Sequence, residues 1–228
     1  MTALQSVSLE SIKDAIADRH LLNHPFYRAW MQGELTREQL QRYTVQYFPH
    51  VAAFPRFVSA IHSHCEDEAS RKALFANLSE EEGQGQDADH PELWLRFAEG
   101  LGISRAQVRD AAIGPKAQAL ADVYFQLCRS SFAEGLGALI AYEAQVPEIA
   151  EAKIDGLKRH YGIEDARSTA FFETHKTADQ FHSESCALML RKLSTEDQKK
   201  GLAAARKASD ALWDFLTEVH GVGTSQAA

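Results

Sequence analysis

The sequence predicts an all-α bundle, on three observations. Apolar residues recur mostly at intervals of three and four, the spacing that lines one face of an α-helix. Helix-entry signals are legible along the chain. Strand-like alternation of β-branched residues is nearly absent. Helices are expected at 8–19, 23–32, 36–63, 67–82, 90–101, 104–110, 115–132, 134–160, 168–193 and 195–220. Gly33 closes the second, and Thr36 with Gln39 opens the third in capping-box form. Ser104 with Gln107 and Thr195 with Gln198 have the same form, Pro115 suits a first helical turn, and Gly100, Gly102 and Gly221 fall near expected ends. Pro49, Pro55 and Pro147 are expected to kink or break the segments that contain them. The 228 residues suffice for one large core. With no composition break and no internal repeat, residues 1–220 are expected to form a single domain, with a disordered tail, GVGTSQAA, at 221–228.

Charge narrows the function classes. A formal charge of −8 with a pI near 5.7 disfavours nucleic-acid and anionic-membrane partners, which select basic patches. The opening MTALQSVSLESIKDAIADRH has no basic segment ahead of an apolar stretch, and no run of eighteen apolar residues occurs, so a cytoplasmic placement is expected. Cys65, Cys128 and Cys186 are odd in number and widely spaced, which suits a reducing compartment, and no Cys-x-x-Cys thiolate site is present.

The run FFETHKTADQFHSESC places His175, Asp179 and His182 at intervals of four and three. A helix advances about 100° per residue, so the three share one stripe, either as metal ligands or as a solvated polar face. Metal sites in helical bundles draw ligands from several facing helices, and oxygen-activating pairs mix carboxylates with histidines. Glu143 follows Leu136, Gly137, Leu139 and Ile140 in a segment apolar on nearly every side, so its carboxylate must be paired, protonated or metal-bound. Glu80, Glu81 and Glu82 end one helix and His90 opens the next; taken alone they read as an acidic end and a cap. Together, Glu81, His90, Glu143, His175, Asp179 and His182 offer three carboxylates and three imidazoles from four segments, enough for two divalent cations. His62, His64 and Cys65 diverge around their helix and read as a surface end. His20, His24, His50, His160 and His220 are isolated, although His50 shares a stripe with Tyr43, Tyr47 and Phe54.

Four stretches resemble a known family: HPFYRAWMQGELTREQLQRY, FPRFVSAIHSHCEDEASRKALFANLSEEE, ALIAYEAQVPEIAEAKIDGL and THKTADQFH. The chain is similar to the Chlamydia protein associating with death domains and its bacterial relatives, a branch of the haem-oxygenase-like di-metal oxidases related to the PqqC and TenA folds. The resemblance implies Glu81, His90, Glu143, His175, Asp179 and His182 as ligands of an iron pair or a mixed manganese and iron pair. Glu82 stays a competitor for Glu81, because the loop GQGQDAD looks long. It further implies a dioxygen- and reductant-dependent chemistry that makes p-aminobenzoate for folate from the protein's own Tyr27, with Lys153 as amino donor and with Tyr142 and Tyr43 near the radical step. Such a chain turns over once.

Two other readings are kept. A di-metal oxidase of the same fold would act on an external amine, amino acid or fatty acid, and a metal-free interaction protein would show an exposed apolar patch. Tyr27 and Lys153 also have plain alternatives, as a packing tyrosine and a solvated lysine. Lys153 lies about 15 Å beyond Glu143 along an ideal helix, a distance that a bend at Pro147 would shorten. A homodimer and an unidentified electron donor complete the expectations.

Overall fold

The computed structural model describes residues 7–84 and 88–221, and every regular element among them is helical. The expected disordered tail lies outside the described residues apart from Gly221. The elements are α1 (Leu9–Ala15), α2 (Pro25–Gln32), α3 (Arg37–His64), α4 (Glu68–Glu81), α5 (His90–Gly100), α6 (Arg105–Arg109), α7 (Pro115–Ser130), α8 (Phe132–Glu143), α9 (Val146–Gly156), α10 (Ala166–Arg191) and α11 (Thr195–Gly221). Two single 3₁₀ turns, Ala17–Arg19 and Leu21–Asn23, join α1 to α2. No described helix is long and apolar enough to cross a membrane.

Local chemistry accounts for most of the boundaries. Thr36 and Ser104 accept from the backbone N–H three residues on, and Gln39 and Gln107 return the bond, as expected. His24 caps α2 by accepting from the Phe26 N–H, and Gly33 ends that helix at φ 71°, a conformation that disfavours any side chain. At α11 the expected box at Thr195 is replaced by a Ser194 cap on the Asp197 N–H, and Gln198 turns back to the carbonyls of Arg191 and Leu193.

Of the breaks expected at proline, the one at Pro147 is found and those at Pro49 and Pro55 are not. α3 runs unbroken through Pro49 and Pro55, because a face of buried side chains from Leu40 to Ile61 holds the segment where each ring removes one backbone bond. The segment 134–160 is not one helix. It divides into α8, α9 and a π-helical turn, Leu157–Tyr161, with Pro147 in the first turn of α9. Gln145 plugs the break: its Nε2 donates to the Ala141 carbonyl at 2.6 Å and its Oε1 accepts from the Leu21 N–H at 2.8 Å.

α8 is the buried centre, with every residue from Gly135 to Glu143 inaccessible, and α3, α7, α10 and α11 pack around it. Its approach to α11 is close enough that a Cβ on Gly137 would run into the carbonyl of Gly201. The apolar helix therefore delivers Glu143, at its last position, deep into the bundle. Trp94 ties α5 to α3 through the Thr44 carbonyl, and Trp30 ties α2 to α9 through the Lys153 carbonyl.

Candidate metal centre

The six acids and imidazoles singled out in the sequence come together as two buried triads. Glu81, at the end of α4, His90, at the start of α5, and His175 of α10 form the first; Glu143 of α8 with Asp179 and His182 of α10 forms the second. Within each triad one ligand atom per residue lies within 4.8 Å of the others. α4 settles the register between neighbouring glutamates: Glu81 is 2% exposed, whereas Glu82 faces solvent. The group at the end of α3 stays apart from both triads, although Cys65 itself is buried and does not share the surface expected of it.

Hydrogen bonding shows where the lone pairs point. The His175 Nδ1 lies 2.7 Å from the Phe171 carbonyl, which can only accept, so Nδ1 carries the hydrogen and Nε2 is left facing the triad. His90 Nδ1 is 2.8 Å from Glu81 Oε2 but off the line of a hydrogen bond. In the second triad Asn77 donates to Glu143 Oε1 at 2.9 Å, while Glu143 Oε2, Asp179 Oδ2 and His182 Nδ1 have no hydrogen-bond partner. Asp179 Oδ1 is 3.6 Å from His182 Nδ1, beyond hydrogen-bonding reach. Buried polar atoms left open are costly, at about 1–3 kcal/mol each. Polar atoms that converge with no hydrogen bond between them leave the place that a cation takes on displacing their protons, so the residues fit two divalent ions of the borderline class that takes imidazole and carboxylate.

The electrostatics agree. Burial, then the repulsion of Asp179, raises the Glu143 carboxyl, and burial likewise raises Asp179. Burial pulls His182 down, but Asp179, Glu143 and Glu80 outweigh it and bring it to about 9, so it holds a proton that a cation would displace. Burial and the neighbouring His90 hold His175 well below the usual histidine range, in its neutral, ligand-competent form.

Beside the first triad lies a second polar cluster, built by α2, α3 and α9. Tyr27 and Tyr43 meet hydroxyl to hydroxyl at 3.3 Å, and Lys153 Nζ donates to Tyr43 at 2.7 Å. Lys153 is 5% exposed, and Nζ lies 5.4 Å from the Tyr27 ring centre and 5.0 Å from that of Phe172. Burial lowers its ammonium to about 7. The solvated alternative for Lys153 is thereby excluded, and the break between α8 and α9 carries it to the tyrosines instead of the ligands. Burial, then the neighbouring Tyr47, holds the Tyr142 phenol well above its usual range. Tyr27, Tyr47, Tyr142, Lys153, Phe172 and His175 line a cavity of about 20 Å³ that joins this cluster to the first triad.

The sequence reading missed Asn77 as the anchor of Glu143 and Glu80 as the neighbour of His182. It placed Tyr47 in a core stripe, which is correct, but not at the cavity. Asn77 stands four residues before Glu81 and so on the same face, a signal that spacing alone could have supplied.

The model of a family described as iron-containing redox enzymes matches residues 41–213. The chain belongs to this family. Among its relatives, a 4-aminobenzoate synthase of Nitrosomonas europaea is 41% identical over 223 residues, covering 92% of this chain and 90% of that protein. A 4-aminobenzoate synthase of Chlamydia muridarum is 37% identical, covering 91% and 88%. A solved structure from Shewanella denitrificans, a domain with a haem-oxygenase-like fold, superposes with a TM-score of 0.81 at 18% identity over 98% of both chains. The haem-oxygenase-like fold expected from the sequence is the fold observed, and the chain is an oxidoreductase by family.

Proposed function

We propose that this chain makes 4-aminobenzoate once per molecule from its own Tyr27, with Lys153 as the source of nitrogen. The two triads would hold the metals, Glu81, His90 and His175 one ion and Glu143, Asp179 and His182 the other, as an iron pair or a manganese and iron pair. When bound, the pair supplies a redox couple able to activate dioxygen and to draw electrons from a phenol. An external reductant is needed to bring the metals to the divalent state.

The observation that carries the reading is the size of the cavity beside His175. Ligand pockets commonly occupy roughly 300–1,000 Å³, whereas this one, at about 20 Å³, has room for little more than a water-sized molecule. An external aromatic or fatty substrate does not fit in this cavity, between His175 and Tyr27. The oxidisable ring is already in the wall, held without loss of translational freedom.

The residues supply the rest. The product has a ring, a carboxyl carbon and a para nitrogen; Tyr27 offers the ring and, in Cβ, the carbon, so the Cα–Cβ bond of Tyr27 and the Cε–Nζ bond of Lys153 must both break, and the phenolic oxygen must give way to nitrogen. Burial, partly offset by the Tyr43 bond, holds the Tyr27 phenol well above its usual range, so it remains protonated until oxidised. Its proton has a path through the Tyr43 hydroxyl to Lys153 Nζ, which is close to neutral and can accept it. Phe172 and Trp30 keep water away from that amine.

The test is product analysis without added substrate. Protein loaded with iron or with manganese and iron, then given reductant and air, should release no more than one 4-aminobenzoate per chain and lose mass at position 27, and Tyr27→Phe should release none. Product from Tyr27→Phe, or several equivalents per chain, would establish an external substrate instead.

A further inference from the structure

The two triads are oriented by unlike partners. His175 is fixed from behind by the Phe171 carbonyl, a main-chain acceptor one turn earlier that no side-chain rotation can withdraw. His182 has Glu80 behind it, whose Oε2 makes an ion-pair contact of 3.2 Å with Nε2. Its other nitrogen, Nδ1, points inward without a partner beside Glu143 and Asp179.

Glu80 is 46% exposed over its side chain. It stands on the wall of a groove of about 280 Å³ between α4 and α10 that reaches Asn77, His182 and Cys186. Consecutive helix positions differ by about 100°, so α4 turns Glu81 into the first triad and Glu80 across to the second. A metal-binding histidine is held by donating its other N–H, and a carboxylate acceptor strengthens it as a ligand; losing such a partner typically weakens metal binding about 10- to 100-fold.

We propose that Glu80, which is outside the six ligands, is the positioning residue of the second triad, acting through His182. The proposal rests on the reading that both triads bind metal.

Manganese(II) alone is the probe, titrated anaerobically into the full chain and followed by equilibrium dialysis with metal analysis and by the paramagnetic resonance signature of a coupled pair. The wild-type chain should bind two ions. Glu80→Ala should weaken one step about 10- to 100-fold and leave the other unchanged, and His182→Ala should abolish the same step. Glu80→Gln keeps an acceptor for the Nε2–H and should lose clearly less than Glu80→Ala. Because Glu80 is half-exposed, its variants should keep the wild-type thermal midpoint without metal. Two unaltered steps in Glu80→Ala, equal weakening of both, or Gln as damaging as Ala would overturn the assignment of Glu80 and leave the metal centre standing. Fewer than two ions bound by the wild-type chain would overturn the two-triad reading and the proposal with it.

Discussion

Two buried polar regions lie side by side in this bundle and answer the same low dielectric in opposite ways. In the triads, Glu143 Oε2, Asp179 Oδ2, His182 Nδ1 and His90 Nδ1 have no hydrogen-bond partner. In the cluster of α2, α3 and α9, the hydroxyls of Tyr27 and Tyr43 and the amine of Lys153 are bonded to one another, and the amine sheds its charge with burial as the cause. A donor set left open in the interior awaits a charge from outside. A base enclosed by rings, with no carboxylate beside it, becomes a neutral nucleophile. The first arrangement suits a cofactor and the second suits a reagent.

The largest expected effect separates the two regions by metal. At a hundredfold excess over its dissociation constant, a divalent ion stabilises a folded chain by about 2.7 kcal/mol per site. Two filled triads should therefore raise the thermal midpoint by roughly 10–20 °C for a chain of this size. A thermal scan with manganese(II) or iron(II) against chelator measures it; His175→Ala should lose about half of the shift, and an unmoved midpoint would break the comparison.

The next effect concerns the reagent side. Lys153→Met removes a buried base and retains its volume, so it should stabilise the chain by about 1–2 kcal/mol near pH 7, read by urea denaturation, while abolishing 4-aminobenzoate release. Loss of stability would mean that the bond from Nζ to Tyr43 outweighs the cost of burial.

Per unit of pH the effect is smallest for a pair of opposite slopes in the chelated protein. Lys153 has its folded pKa lowered to about 7 from 10.5. Between those values the unfolded chain holds a proton that the folded chain lacks, so stability rises with pH by at most about 1.4 kcal/mol per unit. Glu143 has its folded pKa raised by burial and by Asp179. Its contribution is complete below the ordinary carboxylate range and is lost as pH rises through the folded value. Urea midpoints at stepped pH should lose the alkaline rise in Lys153→Met and lose the fall from mildly acidic to neutral pH in Glu143→Gln.

Much of this was legible in the sequence, for identifiable reasons. His175, Asp179 and His182 are tied to one another by helical spacing, and Glu143 betrays itself as an acid in an apolar run. Helix caps at Thr36 and Ser104 are local chemistry and were readable as such. Contacts between distant segments were not. Glu80 and Asn77 read as flank residues until α4 is set against α10 and α8, and Lys153 sits a full bundle-width from Glu143 on paper until the chain breaks at Ala144 and Gln145. Proline was read correctly at Pro147, where the segment divides, and misled at Pro49 and Pro55, where a removed backbone bond counts for little because packing is dense.

The narrow chamber beside His175 also has a bearing on departure. A freed benzoate ring is too large to pass through the chamber as it stands. On the reading proposed above, α2 or α9 must swing clear before the molecule can escape. The pace at which product reaches solution would then measure how often a spent chain breathes, with the bond-making already finished.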